Sequence, residues 1–150
     1  MLVLGLLAAC GQNQAPSVPT TSSTAPLGVF SLSDSGCSYE GKATVSSESG
    51  TIRLSNKIST EAHFDFFKLN QGHNYLELVA HIQEAERRRL AGEPELGHPT
   101  FATFSSSTTV SAHGSQTLPI PGSAGTYGMV CIPWNLGPLR KYSAGPLTVS

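Results

Sequence analysis

From Leu27 onward the chain is a succession of short alternating runs punctuated by Gly, Pro, Asn and Ser, and that rhythm restricts it to a β-rich fold. Val29–Leu32 sets Phe30 and Leu32 on one side and Val29 and Ser31 on the other, the two-residue period of a strand that buries one face. Asp34-Ser-Gly36 then reads as a turn, and Cys37-Ser-Tyr39 leads to Gly41. Lys42–Ser46 and Thr51–Asn56 flank Ser-Glu-Ser-Gly50, which predicts a hairpin with Ile52 and Leu54 sharing a face. His63–Leu69 is a longer strand whose Phe64, Phe66 and Phe67 are core candidates. Thr100–Phe104, Thr108–His113, Gln116–Ile120, Gly125–Ile132 and Ala144–Val149 complete the series, with His113-Gly114-Ser115 as a tight turn. Many short strands with regular turns predict a mainly β fold, an antiparallel Greek-key β-sandwich.

A single segment breaks the rhythm. After Gly72, Asn74 is placed to cap a helix in which Tyr75, Leu78, Val79 and Ile82 recur at helical spacing. Its polar side carries Glu77, Gln83, Glu84 and Glu86, and Arg87-Arg88-Arg89 sits near the C-terminal end, where cations suit the helix dipole. The arginine run reads as a solvated helix end rather than a docking site. Gly92 stops the helix and Pro94 lies beyond it.

Formal net charge is −1 and charged residues make up 13% of the chain, which leaves no basic stripe for a phosphate backbone and excludes nucleic acid as an expected partner. No serine sits in a Gly-x-Ser-x-Gly elbow and no phosphate-binding loop is present. His73 and His81 are about two helical turns apart, too far to share one metal ion. The chain is therefore not expected to be an enzyme.

The N-terminal run Met1-Leu-Val-Leu-Gly-Leu-Leu-Ala-Ala-Cys10-Gly11 is apolar, too short to span a bilayer, and ends in small residues and a cysteine. It resembles the lipobox of a bacterial lipoprotein. The resemblance implies a signal peptide over residues 1–9, lipidation of Cys10, and a membrane anchor made by the N-terminal lipid at about 0.8 kcal/mol per buried methylene. Residues 10–26 hold no charge and no aromatic ring, so they are expected to form a lipid-anchored disordered Pro/Ser/Thr linker ahead of a domain over residues 27–150. The expected location is extracytoplasmic, in the cell envelope or periplasm.

With Cys10 committed to lipid, Cys37 and Cys131 remain as an even pair in an oxidising compartment. A bridge between them closes a loop of about 95 residues and contributes ~4–5 kcal/mol in the chain-entropy model; two separate buried thiols are the alternative.

Gly125-Thr-Tyr-Gly-Met-Val-Cys131, followed by Ser143-Ala-Gly-Pro-Leu-Thr-Val149, resembles the end of the cupredoxin fold, and Asn56-Lys-Ile-Ser-Thr-Glu-Ala-His63 resembles an upstream cupredoxin segment. The match covers about half of residues 27–150. It implies a cupredoxin-like sandwich with one inserted helix. A blue-copper site takes two histidines, a thiolate and a weak axial ligand. His63 and Cys131 fall where the first histidine and the cysteine belong, but the loop after Cys131 offers neither histidine nor methionine, and Met129 precedes it as a core candidate. The resemblance thus implies a scaffold with no metal and no cofactor. Cys37-Ser-Tyr-Glu-Gly41 paired with the late Gly-x-Tyr-x-x-x-Cys resembles many bacterial secreted proteins, and that resemblance brings no activity. Trp134 is expected to plug the space a copper site would fill, or else to anchor a partner. The leading expectation is a lipid-anchored, non-catalytic binding or structural module whose contact surface is built from His63, the 132–142 loop and Trp134, facing an envelope protein or a small ligand. The alternative is a copper-binding or redox protein using His63 and Cys131.

Overall fold

The computed structural model describes residues 25–47, 50–134 and 140–150. The expected signal peptide 1–9, Cys10 and all but the last two residues of the 10–26 linker lie outside the described residues, as do 48–49 in the expected hairpin and 135–139 in the loop after Trp134.

Two sheets pack face to face. The first has four strands in the order β2 (Gly36–Gly41), β1 (Gly28–Ser33), β4 (Thr51–Asn56), β7 (Ser115–Pro119). The second has five, ordered β3 (Thr44–Val45), β9 (Tyr142–Val149), β8 (Gly125–Pro133), β5 (Ala62–Leu69), β6 (Ala102–Val110). The protein is mainly β, a two-sheet sandwich with one helix, α1 (Tyr75–Ala91), inserted between β5 and β6. The sheets are mixed rather than wholly antiparallel. β1 runs parallel to β4, and β3 runs parallel to β9. The hairpin expected across Gly50 therefore does not form: its two arms enter different sheets, each pairing with a strand far away in sequence. The two runs expected at Thr100–Phe104 and Thr108–His113 are one continuous edge strand, β6.

The strict alternation of the inner strands explains the core. Phe30, Leu32, Ile52 and Leu54 from the four-stranded sheet meet Phe64, Phe66, Tyr127, Met129, Cys131, Leu147 and Val149 from the five-stranded sheet, and all are at most 2% exposed. Each such side chain contributes about 1.5–3 kcal/mol by leaving water. Asn56, only 1% exposed, closes one end of the sandwich. Its Nδ2 donates to the carbonyls of Thr60 (2.7 Å), Val110 (3.0 Å) and Ser111 (3.0 Å), while its Oδ1 accepts from the Ile58 N–H (3.2 Å). The buried amide thus ties the β4–β5 connection to the end of β6.

A disulfide joins Cys37 on edge strand β2 to Cys131 on β8, with Cα atoms 6.2 Å apart and a sequence separation of 94. It staples one sheet to the other. Among the described residues no helix is long and apolar enough to cross a membrane.

Helix α1 begins with a full capping box: Asn74 Oδ1 accepts the Leu76 N–H (2.9 Å) and the Glu77 carboxylate accepts the Asn74 N–H (2.7 Å). Gly92 ends it in the left-handed conformation, φ 66°, a geometry that disfavours a side chain. The helix lies on the outer face of the five-stranded sheet, where Leu78 and Ile82 join Phe67, Leu69 and Val130 in a second, smaller cluster. Gly128 permits this seat, because a Cβ there would collide with the Leu78 side chain. The arginine run is not bare: Arg87 pairs with Glu84 and Glu93, Arg88 with Glu84, and Arg89 with Glu86. Arg87 and Arg88 hold the Glu84 carboxyl down at about 2, from an ordinary 4.5.

Candidate functional site

The helix covers β8 and β9 but leaves the β5–β6 end of the same outer face open. On β5, Phe64 and Phe66 point inward, so His63 and Asp65 emerge on the opposite side. Register sets their neighbours. His63 lies between Ile132 of β8 and Thr109 of β6, and Asp65 lies between Val130 and Ser107. The Thr109 hydroxyl and His63 Nδ1 are hydrogen-bonded at 3.2 Å, and the Ser107 hydroxyl donates to Asp65 Oδ1 at 2.5 Å.

A shift in the β5–β6 pairing decides what else faces this cleft. Phe66 opposes Ser106, whereas Phe67 opposes Phe104, so Ser105 is an extra residue on β6. Had Ser105 paired in the unshifted register, Phe104 would stand opposite Lys68 and turn to the inner side. With it, Phe104 packs edge-on against Phe67, ring centroids 5.8 Å apart, and remains 49% exposed.

Trp134 completes the rim. Its backbone N–H donates to the Glu61 carbonyl (2.7 Å), and its ring packs against His63 at 5.0 Å with 55° between planes. The indole is 53% exposed. Trp134 does not plug the end of the sandwich. It stands on the outer face, and of the two readings open in the sequence the anchor is the one its position suits.

The segment after the helix forms the far wall. His73 stacks on Phe101 (5.5 Å, 30°) and meets Glu77 (3.0 Å), and His81 Nε2 is hydrogen-bonded to the Gly97 carbonyl (2.9 Å). These two histidines pin the segment down. His98 then rests against Phe67 and Phe104, centroids 5.8 and 6.3 Å away. The result is a cleft of about 280 Å³ between Trp134 and His98, with Asp65 and Ile132 at its floor. A second cleft, also about 280 Å³, continues from Asp65 and His98 under the helix to Lys141 and Glu95.

The residues of the expected copper site are not brought together. Cys131 is fully buried in the inner core and bridged to Cys37, so it offers no thiolate, and its cross-strand neighbour on β5 is Phe64. His63 lies on the other face of that sheet. The donor set does not fit a blue-copper ion, and among the described residues no three His, Cys, Asp or Glu side chains converge to hold any metal. Met129 is fully buried core.

Of the expected contact surface, His63 and Trp134 do meet, while residues 135–139 of the loop lie outside the described residues. Asp65, His98, Phe104 and Ser107 were not among the sequence candidates. The polar alternation of His63 and Asp65 opposite two phenylalanines was the available signal; the bulge and the long-range register carried none.

No family model matches the chain, and no curated protein matches it. Among solved structures it is similar to dithionite-reduced auracyanin from the photosynthetic bacterium Roseiflexus castenholzii, at 17% identity over 81% of this chain and 94% of that one, with a TM-score of 0.38. It is also similar to auracyanin B, at 17% identity over 81% of this chain and 86% of that one, with a TM-score of 0.31. The likeness is distant and brings no activity with it.

Proposed function

We propose that the chain is a lipid-anchored, extracytoplasmic, non-catalytic binding module, a cupredoxin-like sandwich that works without a resident cofactor and captures its partner at the cleft between His63, Trp134 and His98. The observation that carries this reading is the pair of exposed rings, Trp134 and Phe104, flanking Ile132 and one carboxylate on the open end of the outer sheet face. Exposed aromatic rings over a concave, partly apolar surface are what interface anchors look like. The Leu7-Ala8-Ala9-Cys10-Gly11 run supports the anchor, and the Cys37–Cys131 bridge supports an oxidising compartment. A non-catalytic role is supported by the hydroxyls nearby. Ser107 bonds Asp65 directly and Thr109 bonds His63, so no hydroxyl–imidazole–carboxylate relay is assembled.

The test is affinity capture from the native envelope, followed by purification of the retained component and its titration against the full chain, read by fluorescence of the only tryptophan. Wild type gives a saturable change. The His63→Ala/Trp134→Ala protein, folded by circular dichroism, does not retain that component; equal retention would overturn the assignment of this surface.

A further inference from the structure

The cleft has a charge pattern that selects its occupant. Of the groups lining its Trp134 side, Asp65 alone carries a fixed charge; the others are rings, a hydroxyl and Ile132. Asp65 is half-buried, its Oδ1 takes the Ser107 hydroxyl, and among the described residues no lysine or arginine pairs with it. On the Trp134 side the titratable groups that line the cleft with it are His63 from its own strand and His98 from the post-helix segment, and on the helix side His81, Glu95 and Lys141. Lys141 and Glu95 both line the deeper cleft, and among the described residues neither forms an ion pair with Asp65. A carboxylate at the floor of an aromatic cleft, with no cation of its own, is complementary to a cation that also has an apolar stem.

Three features narrow the cation. Trp134 and Phe104 are exposed rings whose faces attract cations, and planar cations additionally stack on them. Among the described residues only the Ser107 hydroxyl bonds Asp65, at Oδ1, which leaves Oδ2 and one lone pair of Oδ1 to accept two parallel N–H bonds. Ile132 offers a surface for methylenes, as long basic side chains bury their stems while the head stays polar. Resting on the binding-module reading above, we propose that this cleft takes an arginine side chain presented by a partner polypeptide, with the guanidinium on Asp65 and against Trp134.

The experiment titrates the full chain with N-acetyl-arginine amide, N-acetyl-lysine amide and N-acetyl-citrulline amide at constant chloride, reading Trp134 fluorescence. Citrulline keeps the shape of arginine and removes the charge. The arginine probe is expected to bind about tenfold more tightly than the citrulline probe, a difference of about 1.4 kcal/mol. Lysine should fall between them. Asp65→Asn, which still accepts the Ser107 hydroxyl, should bring arginine to the citrulline level. Equal binding of arginine and citrulline, an unchanged preference in Asp65→Asn, or no response to any probe each overturns the inference. If the captured partner still depends on His63 and Trp134 in any of those cases, the guanidinium assignment falls while the binding surface stands. If that dependence is also missing, both fall.

Discussion

Reducing the Cys37–Cys131 bridge isolates the contribution of chain connectivity, because it changes little else. Cys131 is fully buried among apolar neighbours, and a reduced cysteine packs there as a small hydrophobe. The sequence separation of 94 sets the magnitude. Closing a loop of that length removes roughly 16 cal/mol/K from the unfolded ensemble, about 4.7 kcal/mol at 25 °C. With a urea slope of about 1.5–2 kcal/mol/M, the unfolding midpoint should drop by about 2–3 M on reduction. The slope itself should rise, because the reduced unfolded chain expands and exposes more surface. Urea titrations of the full chain by circular dichroism, with and without a phosphine reductant, measure both quantities. A midpoint that moves by less than about 0.5 M would refute the reasoning, since it corresponds to under about 1 kcal/mol. The bridge would then not be limiting the unfolded state.

Four other outcomes follow from the packing and the charges. Phe64→Ala should destabilise the protein by about 3–5 kcal/mol in the same urea assay, since the ring is fully buried between the sheets. Asn56→Asp places a carboxylate oxygen against three carbonyl oxygens in a site that is 1% exposed, and should cost more than about 3 kcal/mol. Asn74→Ala removes the acceptor for the Leu76 N–H and should cost about 1 kcal/mol. For Glu84 the folded-state pKa lies below the unfolded value, so its contribution is present above about 4.5 and is lost as pH falls toward about 2. Glu86 and Glu93 shift in the same direction through Arg89 and Arg87, so the C-terminal half of α1 should fray as pH falls below the ordinary carboxylate range, read as falling helical ellipticity.

The parts of this fold that are legible in the sequence are those governed by local physics. Phe30 and Leu32, Ile52 and Leu54, and Phe64 and Phe66 alternate because each strand buries one face, and that pattern survives without knowledge of the partner strands. Asn74, Glu77 and Gly92 mark the helix ends because orphan backbone groups need those side chains or that backbone freedom. Pairing is a different matter. Thr44–Val45 makes only a two-residue strand, and its partner, β9, closes the described chain, so proximity in sequence favoured a hairpin that the parallel ladders replace. The site follows the same division. His63 and Trp134 stand out by residue type, and their ring centroids lie 5.0 Å apart. Ser107 reaches the cleft through the long-range pairing of β5 with β6, Phe104 through the bulge at Ser105, and His98 through Phe101 and Gly97 being pinned by His73 and His81. Trp134 reads as a plug as long as Cys131 and His63 are imagined on one side of the sheet; their opposite orientations put the indole outside.

The most direct test of a binding role for the outer face is photocrosslinking in the intact envelope. A benzophenone amino acid would replace Phe104 at the cleft in one protein and Arg53 in another. Arg53 is exposed on the far side of the sandwich, between the buried Ile52 and Leu54. Illumination should give one discrete adduct from position 104 and none from position 53. Adducts of equal yield from both positions, or an adduct from position 53 alone, would contradict a partner-binding role for the cleft.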